Sequence, residues 1–159
     1  MLGHLGFSYV GLIYLLMLFI PNIIWSKSQP IDSEKTHENK VLIWFERVGQ
    51  VGCTGSVLIF NDFNIATFSA WSLWLISSFL LMIFYEICWI RYFTNEHTKG
   101  KLYRSFYGIP VPLASLPVMA FLLLGIYGEV IWLIAFGIIL GIGHIGVHIQ
   151  HLKAIKKVE

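Results

Sequence analysis

The sequence predicts an all-α integral membrane protein, a single transmembrane domain over residues 1–159 built as a bundle of five transmembrane helices. The first reason is composition: the chain is 57% hydrophobic and only 13% charged, with a mean hydropathy of +0.72, which lies outside the usual range of soluble domains. The second is the presence of five apolar runs of sufficient length. A spanning helix needs about 20 mostly apolar residues to cross a hydrocarbon core about 30 Å thick.

The distribution of basic residues gives a third reason and an orientation. The predicted spans cover about residues 5–25, 41–60, 68–93, 106–127 and 130–151. With these spans all 11 Lys and Arg residues fall on one side of the membrane. They are Lys27, Lys35, Lys40, Arg47, Arg91, Lys99, Lys101, Arg104, Lys153, Lys156 and Lys157. The positive-inside rule therefore predicts the N-terminus outside and the C-terminus inside.

The first two spans each carry a polar stripe at helical spacing. No Lys or Arg precedes the first apolar run, and no small-x-small cleavage site follows it, so we expect a retained helix rather than a signal peptide. Its stripe ends at Asn22, and in the second span Glu46, Gln50 and Cys53 share a face. Such stripes line a bundle interior or pack against neighbouring helices.

The fourth and fifth spans contain helix-breaking and helix-packing residues. Pro117 lies inside the fourth span, so it should kink the helix or free a carbonyl, unless Ser115 or Tyr107 satisfies that group. In the fifth span Gly137 and Gly141 share a face with three histidines, which favours close helix contact on that face. The histidines are His144, His148 and His151.

Polar groups from several spans lie at a similar depth, which predicts one site. Counted at about 1.5 Å per residue, Asn22, Glu46, Glu86 and His148 all lie about 7 to 9 Å inside a basic residue near the end of their span. Those basic residues are Lys27, Lys40, Arg91 and Lys153. Ionisable residues inside a membrane usually face the protein interior and mark functional sites. The predicted site comprises Asn22, Glu46, Gln50, Glu86, His144 and His148. We expect His148 to be its functional histidine, with His144 serving helix contact and His151 the interface.

Three chemistries fit these residues. His144 and His148 with Glu86 could bind a metal ion, although no cofactor is predicted, because three ligands on one straight helix rarely converge on a single ion. A histidine near two carboxylates could instead relay protons. The third interpretation is an ion-pair network, in which Glu46 or Glu86 neutralises Arg47 or Arg91 and fixes helix register.

Several stretches resemble small multi-pass membrane proteins of Gram-positive bacteria. They are GHLGFSYVGLIYLLMLFIPNIIW, YGIPVPLASLP and GIGHIGVH. The resemblance implies a bacterial plasma membrane and brings no activity with it. We expect small-molecule or proton-linked binding and transport, in a homodimer within the lipid bilayer and without a nucleic-acid partner. The alternatives are an enzyme acting on a lipid or lipophilic substrate at the cytoplasmic leaflet, and a non-catalytic immunity or regulatory subunit.

Overall fold

Five α-helices form the described part of the chain, which in this computed structural model comprises residues 2–28, 38–94, 102–103, 105 and 108–155. The helices are α1 (Tyr9–Lys27), α2 (Lys40–Ile59), α3 (Ser72–Thr94), α4 (Pro112–Tyr127) and α5 (Ile131–Ile155). Of these, α1, α3 and α5 are long and apolar enough to cross a membrane, and α4 is a shorter apolar helix. The all-α prediction is confirmed. The count of five spans and the orientation of the termini stay predictions.

The fourth helix begins later than the sequence predicted. The apolar run was expected to be helical from about residue 106, whereas α4 begins at Pro112. The preceding Val111 adopts a left-handed conformation with φ of 42°, which a continuing right-handed helix excludes. Proline suits the first turn because its missing N–H would have no helical partner there. Ser115 donates its hydroxyl hydrogen to the Pro110 carbonyl at 2.8 Å. This bond joins the first turn of α4 to the segment that precedes it.

The helices alternate in direction, so their termini gather at two opposite ends of the bundle. At one end, which we call the basic end, Lys27, Lys40 and Lys153 lie at or near the termini of α1, α2 and α5. At the opposite end, residues 2–8 run along the end of α2 and bridge to it through Leu5 and Phe60. The most extensive helix contacts are α2 with α5, α3 with α4, and α4 with α5, whereas α1 packs less extensively against α2 and α3.

Close helix crossings depend on glycine. A Cβ atom on Gly143 of α5 would overlap the backbone nitrogen of Glu46 on α2, and a Cβ on Gly11 of α1 would overlap the carbonyl oxygen of Val57. The expected close packing at Gly137 and Gly141 is directed at α4, where Cβ atoms would meet side chains. Small residues at these crossings let helix backbones approach in an apolar environment, where hydrophobic burial does not drive association.

The N-terminal segment is held by a charged contact at the end opposite the basic end. The His4 backbone N–H donates to Asp62 Oδ2 at 2.6 Å, and His4 Nδ1 lies 2.7 Å from Asp62 Oδ1. Burial tends to raise the pKa of the Asp62 carboxyl, but hydrogen bonds from the His4 ring and from two backbone N–H groups outweigh that effect and hold this pKa below its ordinary value. The carboxylate therefore stabilises the docked segment.

This contact gives a pH-dependent prediction for the docking of residues 2–8. Because the folded-state pKa of Asp62 is lowered, its stabilisation is complete above the unfolded-state value near 3.8 and is lost as pH falls through the folded-state value. We expect backbone hydrogen exchange in this segment to accelerate on acidification, after correction for intrinsic exchange. Asp62→Asn should exchange faster at neutral pH and lose most of this acid response. Glu129→Gln, at an exposed site beside α5, is the control; an unchanged acid response in Asp62→Asn would contradict the prediction.

Candidate functional site: a cavity shared by five helices

A cavity of about 390 Å³ lies among the helices, and all five contribute to its wall. This volume is within the range of pockets that hold small molecules. Its polar lining residues are Asn22, Glu46, Gln50, Thr54, His144 and His148. Its aromatic lining residues are Phe19, Trp25, Tyr85, Trp89, Tyr103 and Phe121. Aliphatic side chains, Cys53 and Pro117 complete the wall, so the cavity is mostly apolar with a few polar groups.

The structure brings together five of the six residues predicted for the site. Glu86 is the exception and does not line the cavity. The preceding residue, Tyr85, faces the cavity instead, and successive residues on a helix point about 100° apart. The Glu86 Oε1 atom is buried without a hydrogen-bond partner among the described residues. Glu86 is therefore not brought together with His144 and His148, the residues that were considered with it as alternative metal ligands.

Glu46 and His144 form the central polar contact of the cavity. Glu46 Oε1 lies 2.6 Å from His144 Nδ1, and Gln50 donates from Nε2 to the same oxygen at 3.4 Å. Glu46 thus pairs with a histidine on α5. The neighbouring Arg47 side chain is exposed. His144, expected to serve helix contact, joins α5 to α2 through the Glu46 carboxylate and also lines the cavity. A carboxylate and an imidazole at this separation can share one proton.

His148 lies beside this pair with its ring nitrogens uncommitted. Its ring centroid is 4.4 Å from that of His144 and 5.4 Å from that of Tyr103. Within the described part of the chain its nitrogens make no hydrogen bond, and the residue lines the cavity. Buried polar groups are normally bonded, and among the described lining residues the indole N–H groups of Trp25 and Trp89 are buried without a partner. His148 joins them as a lining side chain that could bind a ligand.

The cavity is covered at the basic end by a tyrosine held between two histidines. The Tyr103 ring stacks on His151 at 5.5 Å with an interplanar angle of 3° and meets His148 edge-on. His151 Nε2 in turn lies 2.9 Å from Glu38 Oε1. Burial raises the pKa of Tyr103 to about 12, so its hydroxyl is neutral at physiological pH and adds no charge to the cavity. Lys35, Lys99 and Lys101, predicted near this end, lie outside the described residues.

The wall formed by α1 and α3 carries an amide and a phenol. Asn22 donates from Nδ2 to the Leu18 carbonyl and to the Tyr85 hydroxyl, both at 2.7 Å. These bonds use the nitrogen of the amide and leave its Oδ1 as an acceptor. The indoles of Trp25 and Trp89 lie next to this group, with ring centroids 6.4 Å apart.

The expected proline irregularity in the fourth helix lies on the cavity wall. Pro117 is inside α4 and cannot donate to the carbonyl of Leu113, and both residues line the cavity. Ser115 does not satisfy this carbonyl, because its hydroxyl bonds Pro110. Tyr107, the other partner considered from the sequence, lies outside the described residues.

The cavity opens sideways between α1 and α2. Phe19 of α1 is 44% exposed and Gln50 of α2 is also exposed, and both line the cavity. The two residues therefore mark a lateral mouth.

Several lining residues were not predicted from the sequence. Tyr85 and Trp89 belong to the buried face of α3, which also contains Ser78, Met82 and Tyr92. That face has steps of four, three, four and three residues, the spacing of one helix side. This spacing is present in the sequence as a signal, whereas selection of residues by charge favours Glu86, which does not line the cavity.

Comparison of the chain with protein-family models, with curated proteins and with solved structures gives no match. In the described part of the chain, no group of three or more His, Cys, Asp or Glu side chains is arranged to hold a metal ion. The functional argument therefore depends on the cavity and its side chains.

Proposed function

We propose that the protein binds a small amphipathic molecule in this cavity and links its transport to proton movement. The observation that carries the proposal is the Glu46–His144 pair, with oxygen and nitrogen 2.6 Å apart, in the wall of a cavity that all five helices line. An ionisable pair inside an apolar bundle is costly and is usually kept for function. The apolar remainder of the wall suits the body of an amphipathic ligand.

The side chains supply a route for one proton. The proton shared by Glu46 and His144 can pass to the adjacent His148, whose ring centroid is 4.4 Å from that of His144. A ligand that bonds Glu46 competes with the shared proton, so ligand binding and proton release are linked.

The lateral mouth suggests that the ligand arrives through the lipid. Phe19 and Gln50 border an opening on the side of the bundle, whereas Leu102 and Tyr103 are buried across the basic end. An amphipathic molecule already concentrated in a bilayer can enter sideways. A homodimer that brought two such mouths together would enlarge the path for transport.

The same lateral mouth favours a second candidate, an enzyme acting on a lipophilic substrate. In that case His148 would act as general base on a substrate hydroxyl, since its nitrogens face the cavity without a hydrogen-bond partner among the described residues. The Glu46–His144 pair would orient the substrate. Recovery of chemically unchanged ligand after prolonged incubation would exclude this candidate. A purely regulatory role is less favoured, because it leaves a cavity with ionisable walls unexplained.

Glu46→Gln tests the proposal. In proteoliposomes containing a pH-sensitive dye, a gradient of a bound amphiphile should drive proton movement through the original protein. Glu46→Gln removes the ionisable group and keeps its size, so we expect at least about a tenfold loss of this flux, a typical effect of removing a proton-transfer group.

Glu38→Gln is the matched control. Glu38 also pairs with a histidine, His151, at 2.9 Å, but it does not line the cavity. This variant should keep most of the proton flux. Equal flux in Glu46→Gln and the original protein, with both inserted and folded, would reject proton-linked transport.

A further inference from the structure

The charges on the cavity wall restrict the ligand. Among the described lining residues Glu46 is the carboxylate, and none is a Lys or an Arg. With the shared proton in place the Glu46–His144 pair is neutral overall; without the proton it carries one negative charge. An anionic ligand finds no counter-charge among the described residues of this wall, and burying an unpaired charge is strongly unfavourable. A cation, in contrast, can replace the proton.

The aromatic side chains favour the same ligand. Six aromatic residues line the cavity, and among them Tyr85 and Trp89 meet edge-to-face at 6.2 Å. Aromatic faces attract cations, by about 0.5 to 2 kcal/mol per contact depending on desolvation, and indole is the best of them. Rings on several helices also give an apolar surface to a bulky ligand body.

Acceptor groups extend around the wall in addition to the carboxylate. The Asn22 amide uses its nitrogen as donor to Leu18 and Tyr85, which leaves its oxygen as acceptor. The Leu113 carbonyl lacks the usual helical donor four residues on, because residue 117 is proline. Free carbonyls in interrupted membrane helices coordinate cations in transporters. Acceptor oxygens therefore come from α1, α2 and α4.

We propose that the ligand is a hydrophobic cation, which binds beside Glu46 and takes the place of the proton that Glu46 shares with His144. This inference deepens the proposed function and rests on it. The titratable residues that line the cavity are Glu46 and Cys53 on α2, Tyr85 on α3, Tyr103, and His144 and His148 on α5. The lining residues of α1 and α4 are not titratable. One cation bound should release one proton.

Three phenyl-bearing probes of different charge test the inference, and the two ions among them share one tetrahedral shape. They are tetraphenylphosphonium, which is cationic, triphenylphosphine oxide, which is neutral, and tetraphenylborate, which is anionic. Binding to the full chain in lipid nanodiscs is measured by calorimetry, with empty nanodiscs subtracted. We expect the cation to bind at least about tenfold more tightly than either other probe, and to release one proton, read as a buffer-dependent binding enthalpy.

Two variants distinguish a charge effect from a shape effect. Glu46→Gln should reduce cation affinity about tenfold or more, the usual cost of losing a charged partner in a buried site, and should leave affinity for the neutral probe nearly unchanged. Glu38→Gln should preserve the preference for the cation.

The possible results are distinguishable. Equal or tighter binding of the neutral or anionic probe, or a cation preference that survives Glu46→Gln, overturns the hydrophobic-cation assignment and leaves the proposed function standing. Absence of binding by all three probes overturns both.

Discussion

Gly143→Ala is expected to destabilise the bundle by about 3 kcal/mol, at the upper end of the cost of overpacking a well-packed interior. The added Cβ would overlap the backbone nitrogen of Glu46 and lie close to the Leu42 carbonyl. Backbone atoms cannot move aside by a change of rotamer, so α2 and α5 would have to separate. Their separation would also pull Glu46 away from His144, the residue after Gly143, and so reduce proton-linked activity.

Gly55→Ala is the matched control for this prediction. A Cβ on Gly55, also on α2, would meet nothing within 4 Å, so helix propensity should stabilise this variant by up to about 1 kcal/mol. Unfolding titrations in mixed detergent micelles measure both variants against the original protein. A Gly143→Ala protein as stable as the original would show that the α2–α5 crossing is looser than described.

The second large effect is expected when the cavity is filled. Thr54 is half-buried on α2 and lines the cavity, so Thr54→Trp places an indole in the space that a ligand would occupy. A bound molecule would then have to displace the indole or force the helices apart, at about 1 to 3 kcal/mol. We expect affinity for the best of the three probes to fall about tenfold to a hundredfold.

Val51→Trp is the control that distinguishes filling of the cavity from a general disturbance of α2. Val51 is 75% exposed and does not line the cavity, so this variant adds the same side chain on the outer surface. Both variants should fold and insert, as monitored by melting temperature and gel filtration. If Thr54→Trp retains full affinity, the ligand binds elsewhere.

The positions of most helices could be predicted from the sequence, because apolar runs and the basic residues beside them mark a helix without information about the rest of the fold. Their length and spacing set the helices α1, α2, α3 and α5 within a few residues. The first residue of α4 could not be predicted in this way, since hydropathy carries no information about backbone conformation. The decisive feature there is the left-handed Val111 before Pro112, after which the helix begins.

The site was predictable to the extent that polarity inside a helix reveals function. Asn22, Glu46 and His148 could be grouped by depth alone, and the structure places them around one cavity. The depth of a residue along its helix does not show on which side of the helix its side chain lies. Depth therefore places Glu86 in the predicted site and leaves out its neighbour Tyr85. The pairing of Glu46 with His144 depended on which helices are neighbours, and that neighbourhood comes from glycine contacts between α2 and α5.

The crossing at Gly11 has a mechanical consequence for the mouth between α1 and α2. Gly11, near one end of α1, contacts the Val57 carbonyl closely, so this contact is a fixed point about which α1 can tilt. Further along α1, the hydrogen bond from Asn22 to the Tyr85 hydroxyl opposes such a tilt. Asn22 lies roughly 16 Å from Gly11 along the helix, so a tilt of about 10° would carry it by about 3 Å. Such a tilt would widen the gap beside Gln50, and it would have to break both the Asn22–Tyr85 bond and the Tyr14–Ser78 bond that join α1 to α3.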